Sequence, residues 1–176
     1  MIPGYDRPAR AFHWITALAV LLMIPAGLIM IREGLPRGVQ DALFIFHKNT
    51  GVLVLVLVLL RAAWRATHPA PPRPALPAWQ DRAASLNHLV LYVLLLVMPV
   101  SGYVRVRAGG FPVEMLDAIG LPRLVPRSDA LETAAQTIHY YAAWLLIAAV
   151  ALHLGAALYH GAIRRDGIAG RMWPPA

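Results

Sequence analysis

Four apolar runs, roughly residues 11–31, 42–60, 86–104 and 138–160, constrain this chain more than any other feature. Each is close to the ~20 residues with which an α-helix crosses the hydrocarbon core of a bilayer. Hydrophobic residues make up 59% of the 176-residue chain, and only 14% are Asp, Glu, Lys or Arg. A soluble domain of this length would carry charges throughout, whereas here they collect between the apolar runs, as in an integral membrane protein. The expected fold is an all-α membrane protein, a four-transmembrane-helix bundle, with residues 1–176 forming one domain.

The net charge of +7 does not indicate nucleic-acid binding, because the cations flank apolar segments and form no basic stripe on a soluble module. Cysteine is absent, which rules out disulfides, thiolate metal sites and the Cys-x-x-Cys-His attachment of a c-type haem. The first apolar run is longer than a signal-peptide core and reads as a retained helix. Pro25 and Pro99 fall inside runs, where neighbouring helices can satisfy the freed backbone groups. The second and third runs are joined by a stiff, proline-rich connector. A longer loop, "RVRAGGFPVEMLDAIGLPRLVPRSDALETAAQT", leads into the fourth.

Four crossings place both termini on one side. That side carries nine cations, Arg7, Arg10, Arg61, Arg65, Arg73, Arg82, Arg164, Arg165 and Arg171, against seven on the other. The excess predicts cytoplasmic N- and C-termini in a bacterial inner membrane.

Ionisable residues inside a membrane are costly, and they are functional candidates for that reason. In "IHYYAAWLLIAAVALHLGAALYH", His139 and His153 are fourteen residues apart. At ~100° and ~1.5 Å per residue, they share one helix face within about 40° and lie ~21 Å apart. The spacing suits two haems stacked across the bilayer, each taking one axial ligand from this helix. On the outer side, the second imidazole is His47. On the inner side, both His13 and His88 are available, and spacing does not choose between them. Zinc is a poorer reading, since a tetrahedral site needs three or four ligands at one depth and the outer leaflet offers two histidines.

The same fourteen-residue step leads from His13 to Gly27, from His88 to Gly102 and from His47 to Arg61. The glycines would thin a helix where a macrocycle edge approaches, and Arg61 would pair a haem propionate. His68, in the connector, reads as solvated.

With these residues aligned, the chain resembles the bacterial cytochrome b561 family of di-haem, quinone-linked membrane cytochromes. The resemblance runs through "FHW", "HKNTGVLVLVLVLLRAAWR", "NHLVLYVLLLVMPVSGY", "IHYYAAWLLIAAVALHLGAALYH" and "RRDGIAGRMWPP". It implies two haem b groups, with His13 and His153 holding the iron at the cytoplasmic side and His47 and His139 the iron at the periplasmic side. Bis-histidine ligation fills both axial positions and suits electron transfer.

Small stand-alone members of this type imply superoxide as the outer donor and ubiquinone as the acceptor. Lys48, Arg105 and Arg107 are candidate cations for steering superoxide to the outer haem. At the inner end, His160 lies seven residues past His153 and would hydrogen-bond a quinone and supply protons. His88 and Arg82 would line the same pocket. Alternatives are an electron-transfer subunit of a larger complex such as a hydrogenase, reverse flow from quinol to an outside acceptor, and a haem-free structural or transport bundle.

Overall fold

The computed structural model describes residues 3–72 and 75–173; Arg73, counted above among the inner cations, lies outside the described residues. Among the described residues the chain is entirely helical. The elements are α1 (Arg7–Ile29), α2 (Arg37–Thr67), α3 (Ala78–Ala108), α4 (Glu114–Ala118) and α5 (Asp129–Leu158). A π-helical turn (Tyr159–Arg164) continues α5, and a 3₁₀ turn (Ala169–Arg171) follows. α1, α2, α3 and α5 with its π-helical extension are long and apolar enough to span a membrane.

Helices α2, α3 and α5 run well past the apolar stretches because polar residues at their ends keep helical geometry outside the hydrocarbon. Asp6 caps α1 by accepting a hydrogen bond from the Ala9 amide at 2.9 Å, with Pro8 in the first turn. Ser128 caps α5 through the Leu131 amide. Pro25 and Pro99 interrupt neither α1 nor α3.

Large apolar side chains face outward along every span, including Leu18, Leu53, Leu89 and Leu145. In water this would contradict burial, but lipid is their solvent. The protein-facing core is narrow and is formed by Val20, Leu94, Ala142, Leu146 and Ala149. Small residues recur along the buried face of α5 at Ala135, Ala142 and Ala149, which lets α5 lie close against α3. α1 pairs with α2, and α2 also meets α3. By contrast, α5 approaches α1 and α2 far less closely than it approaches α3.

The long outer loop folds back as a cap. Lys48 of α2 donates to the Pro112 carbonyl at 2.8 Å and pairs with Glu114, while Asn49 accepts from the Met115 amide at 3.0 Å. Arg107 of α3 grips Asp117 with two hydrogen bonds of 2.6 and 3.1 Å. At the opposite end, Arg171 is buried and donates to the carbonyls of Pro3, Pro71 and Pro72, tying the chain's two ends to the proline-rich connector.

Candidate haem sites

Helix α5 places one imidazole towards each end of the bundle. At the outer end, the His47 and His139 rings face each other with centroids 6.3 Å apart and planes at 74°. At the inner end, His13 and His153 are 6.1 Å apart at 67°. The helices carrying each pair, α1 or α2 with α5, approach one another less closely than α3 and α5 do.

A metal held between two imidazoles requires two metal–nitrogen bonds of ~2 Å and two ring half-widths of ~1 Å, or ~6 Å between centroids. Both pairs match that span. His88 of α3 also lies near His153, at 5.5 Å. It reaches His153 across the interface in which α3 packs extensively against α5. The inner end therefore gathers three imidazoles, with Arg61 acting electrostatically on His13 and His153. The Arg61 guanidinium also lies over the Tyr92 ring, 5.2 Å from its centroid.

The outer imidazoles are seated on glycines. A Cβ added to Gly27 would stand 2.9 Å from Cε1 of His47, and one added to Gly102 would stand 3.2 Å from Cε1 of His139. Both glycines thus lie against the outer imidazole rings. Nδ1 of His139 lies 3.0 Å from the Met98 carbonyl and 3.1 Å from Oγ of Ser101. A carbonyl only accepts, so Nδ1 carries the proton and Nε2 keeps its lone pair for a metal. Nδ1 of His47 is buried and makes no hydrogen bond of ordinary geometry, although the Met23 backbone acts on the ring. The facing imidazoles at both ends therefore fit bis-imidazole ligation of a haem iron.

Two of the three candidate steering cations are engaged in ion pairs. Arg107 is fully buried, and its charge is committed to Asp117. Lys48 is mostly buried and committed to Glu114. Both residues fasten the cap, for which the sequence carried no distance information. The carboxyl of Asp117 is held below its ordinary range by the hydrogen bonds from Arg107. For Glu114, burial pushes upward, but hydrogen bonds led by Lys48 win and hold it below its ordinary range. Arg105 is the member of the trio whose charge acts on both His47 and His139.

His160 lies in the π-helical turn, and its Nδ1 is 2.7 Å from Asp166, which also pairs with Arg164 at 3.4 Å. Partial burial acts to raise the Asp166 carboxyl, but the His160 hydrogen bond and its neighbours hold it below its ordinary range. Arg82 is exposed near the inner end of α3, while His88 sits beside His153. His68 is exposed, as expected, and also stacks on Trp64 at 3.6 Å. Sequence reasoning missed Ser101, Asp117 and Asp166; the only local signal was Ser101 beside Gly102 in "MPVSG", two residues after the intrahelical proline.

Spanning helices with facing imidazoles at two depths are the frame of a membrane electron carrier. The chain belongs to the prokaryotic cytochrome b561 family, whose family model matches residues 4–175. It is 31% identical to cytochrome b561 homolog 2 of Escherichia coli K12 over 96% of this chain and 90% of that protein. Cytochrome b561 homolog 1 of the same organism is 33% identical over 97% of each chain. A probable superoxide oxidase of Yersinia pestis, CybB, is 26% identical over 92% of this chain and 91% of that protein. The family works in membrane electron transfer and implies a b-type haem.

Proposed function

We propose that this chain is a superoxide:ubiquinone oxidoreductase of the bacterial inner membrane, with two haem b groups and cytoplasmic termini. The observation that carries the reading is the pair of facing imidazoles, with centroids 6.3 and 6.1 Å apart, towards opposite ends of α5. His47 with His139 and His13 with His153 would hold the two haem irons, and Arg61 would pair an inner propionate. Bound haem would supply one-electron chemistry.

The chain's own residues do the rest. Arg105 provides positive charge beside the outer pair and favours approach of a small anion. The cap fastened by Lys48 and Arg107 covers that end and limits what enters. At the inner end, Asp166 holds His160 by Nδ1, leaving the other ring nitrogen to hydrogen-bond a quinone carbonyl and pass protons. The reaction balances as two superoxide anions losing one electron each to give two O₂, while ubiquinone takes two electrons and two protons to give ubiquinol. The similarity to a probable superoxide oxidase supports the donor.

The test mixes oxidised, purified protein with a superoxide source and a ubiquinone analogue in stopped flow, beside a His139→Ala variant. Fast haem reduction followed by quinol, lost in the variant, is expected. A full two-haem spectrum that superoxide does not reduce would overturn the donor assignment.

A further inference from the structure

His139 differs from the other three candidate ligands in how its ring is held. Among the described residues it alone has a ring nitrogen in a hydrogen bond, with Met98 O at 3.0 Å and Ser101 Oγ at 3.1 Å. Ser101 is buried and donates its own hydrogen to the same Met98 carbonyl at 3.1 Å. Its oxygen is thereby turned to accept from Nδ1–H of His139. One turn of α3, Met98 to Gly102, thus presents a carbonyl, a hydroxyl and a side-chain-free surface to one imidazole. Pro99 lies within that turn.

We propose that Ser101 is a positioning residue for the outer redox centre. It fixes the tautomer and ring plane of His139 and makes that ligand more basic than its partner His47, whose Nδ1 makes no hydrogen bond of ordinary geometry. A hydrogen bond to the far nitrogen of a metal-bound imidazole raises ligand basicity, and a more basic ligand favours the ferric over the ferrous state. Ser101 therefore lowers the potential of the outer centre and leaves the inner one alone. This rests on haem ligation by His47 and His139 but not on superoxide as donor.

The experiment is a redox titration with low-temperature EPR on the haem-loaded Ser101→Ala and Ser101→Thr proteins. His139→Ala identifies which redox step belongs to the outer centre; if it loses no haem, the ligand assignment fails, separately from the role of Ser101. In Ser101→Ala, the outer step is expected to rise in potential and its low-spin ferric signal, which reads the angle between imidazole planes, to move. The inner step stays in place. Ser101→Thr keeps the hydroxyl, and Ser101 borders an apolar crevice of about 360 Å³ lined also by Val97, Val104 and Ala135. It is expected to return both readouts towards the parent. Loss of outer haem in Ser101→Ala with retention in Ser101→Thr would also support the hydroxyl's role. An unmoved outer step, equal shifts of both steps, or matching behaviour of Ala and Thr would overturn it.

Discussion

Adding one methyl group at Gly27 tests the outer site with little else disturbed. The new Cβ would stand 2.9 Å from Cε1 of His47, whereas carbon contacts are most favourable at about 3.5–4.0 Å. Relief requires the ring, or α1, to retreat by roughly 0.6 Å or more. Metal–ligand distances tolerate only about 0.2 Å, so an iron-bound imidazole cannot absorb the shift alone. Overpacking of this kind costs about 1–3 kcal/mol, equivalent to a roughly 5- to 150-fold loss in affinity for the outer haem.

The other glycines grade the effect. At Gly102 the approach is 3.2 Å, at Gly51 it is 3.7 Å to Met23, and at Gly155 nothing lies within 4 Å. Alanine favours helix by about 0.8–1 kcal/mol over glycine, so helix stability moves the same way in all four variants and cannot explain a loss. The assay is haem content per chain by pyridine haemochrome and by competition with a haem-binding apoprotein. Haem loss should be greatest for Gly27→Ala, smaller for Gly102→Ala, and negligible for Gly51→Ala and Gly155→Ala. Full outer-haem occupancy in Gly27→Ala, or a loss in Gly155→Ala, would refute the reasoning.

Arg105→Gln should lower the second-order rate of haem reduction by superoxide several-fold and flatten its dependence on salt, while Lys48→Gln should mainly loosen the cap. Stopped-flow rates across ionic strength separate the two, and equal effects would return Lys48 to the steering role. The cap should also respond to acid. Asp117 and Glu114 have lowered carboxyl pKa values in the folded protein, so their ion pairs contribute fully above the ordinary carboxylate range and fade as pH falls through the folded values. Proteolysis of the loop between residues 109 and 128 should accelerate in that acid window, and Asp117→Asn should open the loop already at neutral pH. His160→Ala should slow quinol formation by on the order of 10²-fold with the haem spectrum intact. Asp166→Asn should give a smaller loss and a shifted pH profile; unchanged quinol kinetics in both would move the quinone elsewhere.

The sequence by itself determined the four crossings and the depth of the redox residues. Both are properties of single helices: apolar length sets a span, and fourteen residues of 3.6-fold helix bring two side chains back to one face whatever surrounds them. The outer pairing of His47 with His139 was legible for the same reason, since no other histidine lies at that depth. Only the tertiary structure decided the rest. At the inner end, His13 and His88 are equivalent by depth, and what sets them apart is tertiary: α3 packs against α5 far more closely than α1 does. The glycines at 27 and 102 were legible as special, but not that they face His47 and His139, because that depends on the rotation of one helix against the next. The charges of Lys48 and Arg107 looked free along the chain. Their partners, 66 and 10 residues away, arrive only when the outer loop folds back, because ion pairing is a matter of distance in space and the chain between them carries no periodicity that would announce it.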